Sequence, residues 1–262
     1  TYTSRYMYHG TTTHGTQIMQ APYNKTPTTY FTEQGPLGNA FQLFNPKKVA
    51  VIGLGVGTIN CYSTPETEMT FIEIDQGVVD VARSHFTFLQ DCKGKTEPRI
   101  IVGDGRIEMQ KLDEKFDMIV IDAFSSDTIP IHLLTTDALK SYLDKLTDNG
   151  LMVMNISNRY FNLAPILTRN AEEIGIHART RLHSFEEVAL QSEIASRYPY
   201  AASSFWMAMS KSDDSLDLLR DMQWVELASD KKLRPWTDDY TSPMRMLVHF
   251  YPVEMKAAVK PE

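Results

Sequence analysis

Two carboxylates stand close together near the middle of this chain. In "DMIVIDAFSSDTIP", residues 117–130, Asp122 closes an apolar run and Asp127 follows five positions later. An amine nucleophile with a pKa of roughly 10 is protonated at neutral pH, so an acid where a buried strand emerges is suited to take its proton and aim its lone pair. The same charge steadies a cationic reactant. The competing reading is structural, with Asp122 capping the helix expected from Thr135 or pairing with a core cation.

Other candidates sit at comparable places. Gly53, Gly55 and Gly57 in "GLGVGT" let the backbone approach a ligand closely, and Thr58 stands where a dinucleotide fingerprint wants its third glycine. The G-x-G-x-G spacing therefore leans towards S-adenosylmethionine rather than NAD. Glu73, twenty residues beyond Gly53, and Asp75 end the next apolar run, where an acid can accept from both ribose hydroxyls or simply cap a helix starting at Gln76. Asp104 and Gly105 in "VGDG" suit the adenine amino group, or a turn before a helix. Arg106 could attract a carboxylate, or be a solvated residue in a first helical turn. In "PWTDDYTSP", 235–243, Trp236, Asp238, Asp239 and Tyr240 have the composition of a cation-binding wall or of a polar turn. His9 and His14 lie in a Thr- and Gly-rich segment with no Cys or carboxylate partner nearby, so they suggest the nucleoside pocket, and no metal is expected.

These residues need elements to position them. "KVAVIGLG" (48–55), "MTFIEID" (69–75), "PRIIVGDG" (98–105), "FDMIVID" (116–122) and "GLMVMNIS" (150–157) read as buried strands. Helical spacing falls between and after them, at 76–86, 106–112, 135–146 and 163–175. Alternation of this kind predicts an α/β fold, Rossmann-like, with a parallel sheet covered on both faces and ligands beyond the carboxyl ends of its strands. Later segments predict strands at 177–184, 204–210 and 244–250, and a helix at 213–222. Residues 1–45, rich in Thr, Tyr and Gly, favour short strands and turns, giving a small β-rich N-terminal domain ahead of a nucleoside-binding catalytic domain at 46–262.

Composition excludes some partners. With 262 residues, 42% of them hydrophobic, the chain can bury a sizeable core, and a net charge of −7 argues against a nucleic-acid surface. A cationic or zwitterionic small molecule fits better. Cys61 and Cys92, with no CxxC pair, read as reduced thiols in a cytosolic protein. No apolar run reaches membrane-spanning length, and the opening Thr1 reads as the start of a piece of something longer.

Glycine loop, "EID", "GDG" and "DAFSSD", in this order, resemble the spermidine synthase (polyamine aminopropyltransferase) family, especially variants fused to a membrane domain. The resemblance implies an S-adenosylmethionine-dependent transferase fold that binds S-adenosylmethionine or decarboxylated S-adenosylmethionine as substrate and methylthioadenosine as product, without a metal. It implies Gln17 at the nucleoside, Glu73 on the ribose, Asp104 on the adenine, Asp122 as catalytic aspartate and Tyr30 near the substrate. Two departures touch the polyamine side: Asp127 follows five positions after Asp122 instead of three, and the usual "YHE" or "YQE" segment is altered to "YFTE". The leading expectation is aminopropyl transfer to a polyamine by a cytoplasmic protein or the cytoplasmic domain of an inner-membrane protein, with a membrane domain and a homodimer as further partner expectations. Cyclisation of S-adenosylmethionine to homoserine lactone, methyl transfer, and nucleoside sensing without catalysis stay open.

Overall fold

The computed structural model describes residues 3–9, 12–124, 129–184 and 202–248. Strands β1 (Ser4–His9) and β2 (Thr12–Ile18) form an antiparallel hairpin. Helix α1 (Pro36–Phe44) follows, and then the central sheet begins. Its strands are β3 (Lys48–Ile52), β4 (Glu68–Glu73), β5 (Arg99–Val102), β6 (Phe116–Ile121), β7 (Leu146–Asn155), β8 (His177–His183) and β9 (Ser204–Ser210), in the spatial order β5-β4-β3-β6-β7-β9-β8. The first five run parallel, whereas β9 is antiparallel to both of its neighbours.

Strand order reverses between β3 and β6, which makes their carboxyl ends the place where a crevice opens. Register brings the ends level: Ile52 pairs with Ile72 on one side and Ile121 on the other. Gly53 N–H then donates to Ile72 O at 2.8 Å, and Asp122 N–H to Ile52 O at 2.9 Å. Gly53, Glu73 and Asp122 therefore emerge side by side.

Side chains along β3 alternate between two cores, as the period of a strand requires. Ala50 and Ile52 pack with Leu139 of α5 (Thr136–Leu143) and Leu167 of α6 (Ala164–Glu173). Val49 and Val51 pack with Leu37 and Phe41 of α1 and Val79 of α2 (Gln76–His85). Three shorter helices, α3 (Phe88–Asp91), α4 (Gly105–Lys111) and α7 (Asp213–Asp217), complete the layers among the described residues.

Several expectations are corrected. The N-terminal segment holds a helix: α1 starts on Pro36 behind an extended Gly35, and Leu37, Ala40 and Phe41 share one buried face. The strand expected at 244–250 is instead a 3-10 turn over Pro243–Met246, with Pro243 at its first turn where a missing N–H is tolerated, followed by a single bridge from Leu247 to Phe161; residues 249 and 250 lie outside the described residues. The helix expected at 213–222 splits into α7 and a 3-10 turn at Arg220–Met222. Cys61 and Cys92 form a disulfide instead of two thiols. Asn60 donates to Phe88 O at 3.3 Å and Cys92 O at 2.5 Å, which draws the turn Thr58–Tyr62 onto the end of α3. Partners 31 residues apart leave no trace in local spacing. Among the described residues, no helix is long and apolar enough to cross a membrane.

Candidate active site

A cavity of about 550 Å³ opens at the carboxyl ends of β3, β4 and β6, where Gly53, Gly55, Glu73, Asp104, Gly105 and Asp122 all contribute to its wall. Asp122, the first residue past β6, is partly buried at the floor. Its Oδ1 accepts from Asn155 Nδ2 at 2.8 Å, and the Tyr30 hydroxyl donates to Oδ2 at 3.4 Å. Burial raises the Asp122 carboxyl to about 7 despite the opposing pull of those two donors. Burial, then the charge of Asp122, also raises the Tyr30 hydroxyl well above its ordinary value, so it stays a donor.

Asn155 closes β7 and is itself fixed, because its Oδ1 accepts from Ser157 N–H at 3.1 Å and Ser157 Oγ at 2.7 Å. Sequence reasoning missed Asn155 as a site residue, although it stands at a strand end by the same rule that singled out Asp122.

On the opposite wall, Glu73 is 8% exposed and spans the glycine loop. Leu54 N–H donates to its Oε2 at 2.9 Å and Asp75 N–H to its Oε1 at 3.0 Å. Each oxygen keeps a second acceptor position for a ligand. Gly55 adopts φ +53°, and a Cβ there would come within 2.4 Å of His14 O, so this glycine is needed for the hairpin to dock on the loop. His14 and Thr13 reach the cavity wall from that hairpin.

Asp104 caps α4, its Oδ1 accepting from Arg106 N–H and Ile107 N–H, both at 3.0 Å, while Oδ2 lies 3.1 Å from His132 Nε2. Burial alone would raise its carboxyl, but the bonds from Ile107, His132 and Arg106 outweigh it and hold the pKa below the ordinary value. His132, a further wall residue, carried no signal in the sequence because it belongs to a connection, not a strand end.

The fold and this arrangement meet an independent finding. Residues 34–177 match the model of the spermine/spermidine synthase domain. The chain belongs to that family. It is similar to the polyamine aminopropyltransferase of Vibrio vulnificus (strain CMCP6), with 33% identity over 121 residues, 43% of this chain and 39% of that protein. The polyamine aminopropyltransferase of Korarchaeum cryptofilum (strain OPF8) is 23% identical over 226 residues, 84% of this chain and 66% of that protein. The chain thus spans less than two thirds of the length of these curated relatives. Among solved structures, a probable spermidine synthase from Corynebacterium glutamicum shares the fold with a TM-score of 0.57 at 14% identity, over 83% of this chain and 82% of that one.

Within this spermidine-synthase-like frame, several sequence-predicted residues lie away from the cavity. Gln17 is fully buried and spent: its Nε2 donates to Asn24 O at 2.7 Å and Thr87 Oγ1 at 2.8 Å, and its Oε1 accepts from Thr87 N–H at 3.0 Å. It pins the hairpin to the α2–α3 connection and does not line the cavity. Gly57, at φ +86°, starts the turn Thr58–Tyr62 against Leu89. Asp75 caps α2 through Gly77 N–H at 2.7 Å, the structural alternative for that acid. Arg106 is committed to Asp238 by paired bonds of 2.8 and 2.7 Å, so it is not open to a substrate carboxylate.

The expected cation-binding wall does not form. Trp236 is buried in the core beside α5, its backbone N–H donating to Asn170 Oδ1 at 2.9 Å. Asp239 is exposed on the turn Thr237–Tyr240, and the Tyr240 ring lies beneath Arg234 at 3.9 Å. Asp127 lies outside the described residues. Among the described residues, no group of three His, Cys, Asp or Glu side chains could hold a metal ion.

Proposed function

We propose that this chain cleaves the bond between sulfur and the γ-carbon of an S-adenosylmethionine-type sulfonium by transferring an aminopropyl-type group to an amine. The observation that carries this reading is Asp122 at the cavity floor, held by Asn155 and faced by Tyr30, level with the glycine loop and Glu73. Family membership supports it, as do relatives named polyamine aminopropyltransferase. Decarboxylated S-adenosylmethionine or S-adenosylmethionine is then the donor substrate and methylthioadenosine the product.

Roles follow from the geometry. Glu73 supplies acceptors for ribose hydroxyls from the end of β4, and Asp104 with His132 borders the space for the base. An amine nitrogen attacks the γ-carbon, the carbon–sulfur bond breaks with its electron pair going to sulfur, and the amine gives its proton to Asp122. A carboxyl at about 7 is poised for this, since enough of it is ionised at neutral pH while it remains basic. Asp127 stays part of the proposal as a second acid on the acceptor side. Cyclisation of intact S-adenosylmethionine loses the support of Arg106, which is bound to Asp238.

Product analysis by mass spectrometry tests the reading. With decarboxylated S-adenosylmethionine and putrescine, methylthioadenosine and spermidine are expected, and Asp122→Asn should lower turnover about 10²–10⁴-fold while methylthioadenosine still binds. S-adenosylhomocysteine as product, or wild-type turnover in the variant, would count decisively against it.

A further inference from the structure

We propose that Arg159 makes this cavity selective for a substrate that carries a carboxylate, on either the sulfonium donor or the amine acceptor. This rests on the sulfonium-transfer reading and names the substrate class within it.

The wall changes character towards the end of β7. Beyond Asp122 it is built from Asn155, Ser157, Asn158 and Arg159, neutral hydrogen-bonding groups that end in a guanidinium. A diamine with two ammonium groups is repelled by such a cation, whereas a planar carboxylate can pair with it through two parallel bonds. Among the described residues that line the cavity, Arg159 is the one Arg or Lys.

Arg159 differs in its pairing from five other arginines. Arg99, Arg106, Arg169, Arg179 and Arg220 each pair with a carboxylate. Within the described residues the Arg159 guanidinium has no ion pair, and its neighbour is the Tyr160 ring, 5.8 Å away. The backbone that presents it is braced on both sides. Asn158 Oδ1 accepts from Tyr160 N–H and Phe161 N–H, each at 2.9 Å, and Val248 N–H donates to Tyr160 O at 2.9 Å. The braced turn fixes the backbone that carries Arg159 in the cavity wall, so the ordering on binding is confined to its side chain.

The turn is joined to the reacting centre by hydrogen bonds. Asp122 accepts from Asn155, Asn155 accepts from Ser157, and Asn158 and Arg159 follow directly. One end of a substrate at Asp122 and another at Arg159 are therefore positioned by the same stretch of chain. The covalent step is unchanged: nitrogen bonds to the γ-carbon, sulfur leaves with the electron pair, and the proton goes to Asp122. The carboxylate takes no part in bond making; it fixes orientation.

The test uses matched probes that differ only by a carboxylate. As donor, S-adenosylmethionine is compared with its decarboxylated form; as acceptor, ornithine is compared with putrescine. Calorimetric Kd values are measured for both donors, and for both acceptors in the presence of methylthioadenosine, alongside methylthioadenosine release in all four combinations. The wild type should prefer the carboxylate-bearing member of one pair by about 10–100-fold, the scale of a charge-assisted contact. Which pair shows the preference tells whether donor or acceptor carries the group. In Arg159→Gln the ratio should fall to within threefold of one, and Arg159→Lys should retain part of it. A wild type without preference in either pair, or an undiminished preference in Arg159→Gln, overturns the inference. Absence of turnover in every combination would sink the transfer reading, while the Kd ratios would still decide the role of Arg159.

Discussion

Asn155 Nδ2 donates to Asp122 Oδ1 at 2.8 Å, so the end of β7 controls the proton affinity of the acid at the end of β6. Burial raises that acid to about 7, and Asn155 is the larger of the two hydrogen bonds that pull it back. A base must be ionised, so methylthioadenosine release should rise with pH through a midpoint near 7. Asn155→Ala removes a donor to the charged form and should move the midpoint upward; a move of about one pH unit would lower turnover below it about tenfold. An unchanged pH–rate profile in Asn155→Ala would separate Asp122 from the proton transfer.

The same acid affects stability with a definite sign. Its folded value of about 7 lies above the unfolded value of roughly 4, so between these pH values the folded protein binds the proton and the unfolded chain does not. Stability therefore falls as pH rises through that window. Asp122→Asn should be more stable than wild type at pH 8 by up to about 4 kcal/mol and close to it at pH 4. Urea unfolding of both proteins at the two pH values checks this.

Gly53 adopts φ +102°, and a Cβ there would stand 2.3 Å from Asp122 O. Gly53→Ala should displace the backbone that carries Asp122 and strain the loop that holds Glu73, costing about 1–3 kcal/mol. Nucleoside binding and turnover should fall together. Loss of turnover at full methylthioadenosine affinity would contradict this shared role.

Gln17 offers a contrast, because its side chain is committed to Asn24 and Thr87. Gln17→Ala leaves buried polar groups without partners and should destabilise the fold by about 1–3 kcal/mol. Methylthioadenosine affinity below the melting transition should change less than threefold. A large loss of affinity in a fully folded variant would restore Gln17 to the nucleoside site.

The disulfide between Cys61 and Cys92 closes a loop of 31 residues and ties the turn after Gly57 to the end of α3. By the chain-entropy account its removal costs about 3–4 kcal/mol, which lowers Tm by roughly 5–10 °C. Melting curves with and without reductant, and of Cys61→Ser, should agree on that loss. Equal melting temperatures would show that the cross-link does not stabilise this fold.

The sequence by itself determined the sheet and the acids at its edge. Apolar runs such as "KVAVIG" and "FDMIVID" must be buried on both faces, so each became a strand, and Gly53, Glu73, Asp104 and Asp122 were bound to stand where those strands end. Local periodicity carries that information because it depends on neighbouring residues alone. Tertiary structure decided what those neighbours cannot express. Arg106 looked open to a carboxylate until the chain brought Asp238 to it, a partner 132 residues away. Cys61 and Cys92 looked like isolated thiols, and Trp236 looked like a binding wall, until packing joined the first two and buried the third. Asn155 gained its place beside Asp122 only through the register of β6 with β7, and Arg159 its place in the same cavity wall through the turn that follows, because hydrogen-bond partners and cavity walls are set by distance in space, which sequence spacing does not encode.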